Sequence, residues 1–240
     1  MKILSIGNSY SQDAQRYLHE LAKSEGDSFK TINMVIGGCT LERHYRNMLS
    51  GKPAYNLEMN GYATGFTVSL QDALASDCFD VITVQQQSSN SANYDTFQPY
   101  LHEILIFVRK YQPKARIYLH QTWAYENTEV TMKKFGYNCP EEMFAKVKAS
   151  YDKAVKDEGV DGVMPSGLAF ENLRALGIKK YHRDPIHASL GLGRFTLALT
   201  WYCKLTGKDP MTVRPILLDE PITEEEFSIA KAAVKKTLEA

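Results

Sequence analysis

Apolar positions along this chain fall into short unbroken runs that alternate with stretches of helical spacing. Residues 3–6 form the first run, closed by Gly7 and followed by the small polar residues Asn8, Ser9 and Ser11. A short β-prone run ending in glycine predicts a buried parallel strand meeting a turn. Residues 13–22 then place Ala14, Tyr17, Leu18 and Leu21 on one helical face. Residues 31–36 repeat the strand pattern and stop at Gly37-Gly38, with helical spacing again over 41–49. Residues 55–59 alternate, Asn60-Gly61 is a hairpin turn signal and 66–68 can pair back, which predicts a small hairpin inserted between core elements. A short helix capped by Ser69 is expected over 69–75, and a β-branched strand over 80–85. Leu101, Ile104, Leu105 and Val108 mark a helix over 97–111, which Pro113 ends. A fourth strand over 115–120 is followed by a long aromatic-bearing loop, 123–139, and a helix over 141–158. A short fifth strand is expected over 162–165. Helices follow over 170–176, 189–206 and 223–238, the last opening on a Thr223/Glu226 capping box.

Strands alternating with helices predict an α/β fold: a three-layer α/β/α sandwich around a flavodoxin-like central parallel sheet of about five strands. No repeat, low-complexity tract or linker divides the chain, so residues 1–240 are expected to form one domain. Lys and Arg number 28 and Asp and Glu 28, with no block of like charge, so the electrostatic footprint of a nucleic-acid binder is missing. No apolar run approaches the ~18 residues of a membrane span. The apolar run before Gly7 is too short for a signal-peptide core, and a cytoplasmic protein is expected. Cys39, Cys78, Cys139 and Cys203 are scattered without a CxxC pair, which predicts free thiols and no metal pattern. Nothing in the sequence speaks to oligomeric state.

Three stretches could carry chemistry. Ser9 lies at the carboxyl end of the first predicted strand, where open α/β sheets bind ligands, and the following helix N-terminus would favour a developing oxyanion. The competing reading is that Asn8, Ser9 or Ser11 only caps that helix. In Asp184-Pro185-Ile186-His187, proline keeps Asp184 out of helical geometry. A tight turn there can bring the Asp184 carboxylate to Nδ1 of His187 and leave the other ring nitrogen to take a proton from a hydroxyl. The pair could equally satisfy itself and cap a helix. Serine hydroxyls are poor nucleophiles without a base, so Ser9 and this pair gain meaning together. The Gly-x-Ser-x-Gly elbow of α/β-hydrolases is absent. Gly37-Gly38 would let a backbone N–H approach a ligand closely, although a plain turn fits as well. The polar run 85–91 ends a buried strand, and a Gln or Asn amide from it would be a neutral oxyanion donor, although a plain polar loop fits as well.

Taken in order, these blocks resemble the SGNH/GDSL hydrolases, and within them the DUF4886 branch. Gly7-Asn8-Ser9, Gly38 and Asp184-x-x-His187 match the first, second and last superfamily blocks. The DUF4886 resemblance adds 85–88, Gln121-Thr122-Trp123-Ala124-Tyr125, Met164-Pro165 with Ala169-Phe170, and 191–206, and so covers nearly the whole chain. Two departures stand out. Asn8 replaces the usual Asp, and 85–90 replaces the Gly-x-Asn-Asp block. The resemblance implies a Ser9–His187–Asp184 triad working through an acyl-enzyme without metal or cofactor. It also implies an oxyanion hole made by Ser9, Gly38 and Gln85, with Gln87 and Asn90 as the other amides in reach. It implies a short acyl substrate, acetyl foremost, often on a carbohydrate or small molecule. Trp123, Tyr125, Tyr94 and Tyr137 could form a sugar-stacking wall near the cleft, although aromatics on such a loop are as often plain packing. The rival readings are a thioesterase or lysophospholipase with the same triad, a non-catalytic flavodoxin-like ligand-binding protein, and an inactive member. The ligand-binding reading suffers from the lack of Lys or Arg beside either turn.

Overall fold

The computed structural model describes all 240 residues. Strand β1 (Lys2–Gly7) leads through α1 (Ser9–Gln15) and α2 (Leu18–Ser24) to β2 (Lys30–Val35). Helix α3 (Leu41–Ser50) precedes the hairpin β3 (Tyr55–Met59) and β4 (Tyr62–Val68), and α4 (Leu70–Ala75) leads into β5 (Val81–Val84). The second half runs α5 (Tyr100–Tyr111), β6 (Arg116–His120), α6 (Glu129–Lys134), α7 (Pro140–Glu158), β7 (Gly162–Met164), α8 (Ser166–Ala175), α9 (Leu192–Thr206) and α10 (Glu224–Leu238). The sheet order is β4-β3-β2-β1-β5-β6-β7. Strands β2, β1, β5, β6 and β7 are mutually parallel and form the expected α/β core. Their residues are almost all buried, as strands covered by helices on both faces must be. No helix is long and apolar enough to cross a membrane. All four cysteines are free.

The sheet has seven strands rather than five. The hairpin is not a separate insertion, because β3 pairs antiparallel with β2 and extends the sheet at that edge. Glu58 of β3 fastens it: its carboxylate accepts from Asn33 Nδ2 of β2 at 2.9 Å and from the Gln12 amide of α1. Gly61 in the hairpin turn has φ +83°, and a Cβ there would meet the Arg16 carbonyl, so the turn lies directly against the α1–α2 junction.

Other departures concern boundaries. The first helix is expected over 13–22 but begins at Ser9, because Asn8 supplies the cap, accepting from Tyr10 N at 3.0 Å, and it is divided into α1 and α2. The loop 123–139 contains α6, capped by Thr128. Helix α8 starts at Ser166, four residues earlier than the apolar spacing shows, because Pro165 can stand at a helix start. The caps Ser69 and Thr223, the latter with its capping box, stand where expected.

The chain winds from β1 outward to β2 on one side, and returns to β5 on the other. The carboxyl ends of β1, β2 and β5 therefore face the same crevice, at the point where strand order reverses. Ser9, Gly38 and residues 85–87 follow those three ends.

Candidate active site

Ser9 is the first residue of α1. Its Oγ lies 2.9 Å from Nε2 of His187. Nδ1 of His187 lies 2.8 Å from Oδ2 of Asp184. The other carboxylate oxygen, Oδ1, accepts from the backbone N–H of Ile186 at 2.9 Å and of His187 at 2.8 Å. This is an Asx turn, the local geometry that Asp before a proline favours. Burial works against the Asp184 charge, but the two backbone N–H donors and the His187 ring outweigh it and bring the carboxyl down to about 2. A carboxylate can only accept, so Nδ1 carries the ring proton and Nε2 is left to accept from the Ser9 hydroxyl.

The loop that carries Asp184 and His187 rests on residues 123–126. Trp123 Nε1 donates to the Ile186 carbonyl at 3.0 Å, and Glu126 N donates to that of Pro185 at 2.9 Å. Nε2 of His182 meets the Ala124 carbonyl at 3.1 Å. Trp123 and Tyr125 are therefore fully buried and do not form an aromatic wall open to a substrate. Trp123 instead stacks on Tyr10 at 3.9 Å, and Tyr10 lies 6.0 Å from the His187 ring. The Tyr125 hydroxyl bonds Ser88 Oγ at 3.0 Å. Tyr94 and Tyr137 turn toward α7: the Tyr94 hydroxyl donates to Asp157 at 2.6 Å, and the Tyr137 ring carries the Lys146 ammonium.

Neither the Ser9 N–H nor the Gly38 N–H donates to any protein acceptor. The first is free because the opening N–H groups of a helix have no partner within it. Gly38 has φ +60°, which only glycine adopts without strain, and a Cβ there would have no neighbour within 4 Å. The two turns are tied together: Asn8 Nδ2 donates to the Cys39 carbonyl at 3.2 Å. Asn8 Oδ1 accepts from Tyr10 N and from Gln85 Nε2 at 2.8 Å, while Gln85 Oε1 lies 3.1 Å from His120 Nδ1. Burial lowers His120 to about 3, so it is a neutral donor to Gln85. Asn at position 8 uses both ends of its amide, and an aspartate would set an oxygen against the Cys39 carbonyl.

This corrects the expectation for Gln85. It is 1 % exposed and works behind the nucleophile turn, orienting Asn8, rather than in the crevice. Gln86 is likewise spent, accepting from Leu41 N and donating to Thr96. Gln87 is half-buried and its Nε2 is uncommitted, its Oε1 accepting from Ser89. The Asn90 side chain is half-buried and makes no hydrogen bond within the protein, though its backbone N–H donates to the Gln87 carbonyl at 3.0 Å. Sequence reasoning missed His120, and no local signal would have found it.

Gly7 is required for a spatial reason. A Cβ there would stand 2.4 Å from Ser11 Oγ and 2.9 Å from Gln85 Oε1. Gly7→Ala is expected to cost about 1–3 kcal/mol of stability, as overpacking does, and to lower activity by shifting Asn8. A thermal melt that matches the native protein would contradict this.

The central, mostly parallel sheet between helices is the fold shared with solved structures of the SGNH hydrolase type. The family model described as "Domain of unknown function (DUF4886)" matches residues 2–237, and the chain belongs to that family. A DUF4886 family protein from Bacteroides uniformis is 33% identical, with a TM-score of 0.90 over 98% of this chain and 93% of that one. A candidate SGNH hydrolase from Slackia heliotrinireducens is similar at 21% identity and a TM-score of 0.59, over 85% of this chain and 98% of that one. A carbohydrate esterase family 3 protein from Talaromyces cellulolyticus has a TM-score of 0.55 at 12% identity, over 86% of this chain and 97% of that one. No curated protein matches the sequence.

Proposed function

We propose that this protein is a serine esterase that removes short acyl groups, acetyl foremost, from a carbohydrate or small molecule. The observation that carries the reading is the unbroken chain from Ser9 Oγ through His187 to Asp184, with separations of 2.9 and 2.8 Å. His187 takes the Ser9 proton as Oγ attacks the ester carbonyl, and Asp184 stabilises the imidazolium. The free N–H groups of Ser9 and Gly38 receive the oxyanion, with the Gln87 amide as the third donor. Losing one such donor costs on the order of a hundredfold in rate. His187 then returns its proton to the leaving alcohol and activates the water that frees the acid. No metal or cofactor enters this scheme.

The short acyl preference is supported by the exposure of the second turn: Gly37 and Gly38 are exposed. The cavities of about 390 Å³ between Phe195, Pro215 and Phe227 and of about 310 Å³ beside Arg174 and Tyr181 include none of Ser9, Asp184 and His187. The likeness to a carbohydrate esterase supports the substrate class only at the level of fold.

The test is a series of p-nitrophenyl esters of increasing chain length, together with acetate release from acetylated sugars. kcat/KM is expected to be highest for acetate and to fall as the chain lengthens. An optimum at octanoate or beyond would favour the thioesterase or lysophospholipase reading. No turnover of any ester would leave the inactive or ligand-binding reading.

A further inference from the structure

Resting on the hydrolase reading above, we infer that Asp13 and Arg183 are positioning residues that set the distance between Ser9 and His187. Asp13 lies four residues after Ser9, about one turn further along α1. Its side chain is fully buried. Oδ1 accepts from Arg183 Nη1 at 2.8 Å and from Arg194 Nε of α9 at 2.8 Å. Oδ2 accepts from the same Arg183 nitrogen at 2.9 Å and from the backbone N–H of Ala188 at 3.2 Å. Arg183 immediately precedes Asp184, and Ala188 immediately follows His187. One carboxylate therefore grips both ends of the loop that holds two members of the triad. Arg183 closes the ring by donating to the Ala188 carbonyl as well. Arg194 continues to Asp219 at 3.1 Å, which also takes Arg16 Nε from the α1–α2 junction at 2.8 Å.

Stability does not explain such a cluster. Desolvation offsets most of the Coulomb gain of a buried ion network, and apolar packing of the same volume is often as stable. What the network supplies is geometry. Reacting groups must be held within about half an ångström of their productive positions, and surface loops do not hold that tolerance unaided. Here the base-bearing loop is tied to the helix that carries the nucleophile, so Ser9 and His187 move as one body.

Arg183→Ala is the principal variant. The Arg183 side chain is 27% exposed, and its removal leaves Asp13 paired with Arg194. kcat for p-nitrophenyl acetate is expected to fall roughly ten- to a hundredfold with KM within about twofold, as for a misplaced but intact site. The circular dichroism spectrum should stay native, and added guanidinium should restore part of kcat in Arg183→Ala but not in Asp13→Asn/Arg183→Ala. The single variant Asp13→Asn should show the same split between kcat and KM. A second readout is independent of turnover: the His187 Nδ1 proton, seen by NMR in the native protein, should broaden or vanish in Arg183→Ala. Native kcat in both single variants, beside an active native enzyme, overturns the inference and leaves the hydrolase reading standing. A loss of kcat that follows a loss of helical signal, or that guanidinium does not relieve, also overturns it. A native protein that neither hydrolyses esters nor reacts with a phosphonate overturns the hydrolase reading, and this inference with it.

Discussion

Ser9→Ala is expected to abolish ester turnover, with kcat falling by at least roughly a thousandfold, the scale on which removing a triad nucleophile acts. The same change should prevent labelling by a serine-reactive phosphonate, which should modify Ser9 and no other residue of the native protein. His187→Ala should lose activity on the same scale. The serine substitution separates chemistry from folding well. Ser9 is half-buried, its Oγ bonds only His187, and the helix cap is supplied by Asn8 instead. Little stability should therefore be lost, and the thermal midpoint should stay within a few degrees of native. Full esterase activity in Ser9→Ala would remove the triad from consideration, and phosphonate label on another serine would relocate the nucleophile.

The largest expected effect on stability comes from acid. His44 and His120 are lowered to about 3, both chiefly by burial, with Arg43 adding to the effect at His44. His182 is lowered to about 4 by burial, which outweighs its hydrogen bond to Ala124 and the nearby Asp184. In the unfolded chain each imidazole titrates near 6.5. Between that value and the folded one the unfolded state binds more protons, so stability falls as pH falls. The loss begins near pH 6.5 and reaches about 2 kcal/mol per imidazole at pH 5. Asp184 has the other origin but the same direction. Its folded value, about 2, lies below the ordinary carboxylate range, so its contribution is complete above about pH 4 and disappears as pH drops toward 2. A domain with a total stability of about 5–15 kcal/mol should therefore unfold in mild acid. Urea melts at pH 7 and pH 5 check this. Coincident midpoints would mean that the three imidazoles are not buried in their neutral form.

Periodic elements were legible because their signals are local. The β-branched run at 81–84 and the apolar face of Leu101, Ile104, Leu105 and Val108 need no partner to be recognised. The fate of the hairpin was not local. Whether β3 joins the sheet depends on pairing with β2 and on Glu58 meeting Asn33 and Gln12 from two other elements. Likewise, an aromatic in a polar loop reads the same whether it faces solvent or not. Trp123 is buried because it supports the loop at Ile186, 63 residues away.

By itself the sequence determined the alternation of strands and helices, the serine at the first strand end, a tight turn able to bring Asp184 to His187, and a glycine pair at the end of the second strand. Each follows from the conformational preferences of neighbouring residues. Only the tertiary structure decided that Ser9 and His187 meet across 178 positions, that Gln85 lies behind the turn while Gln87 is free, and that Asp13 grips the base-bearing loop. Those facts depend on which strand ends converge and which polar groups are buried together. Elements far apart in the chain must pack before either question has an answer.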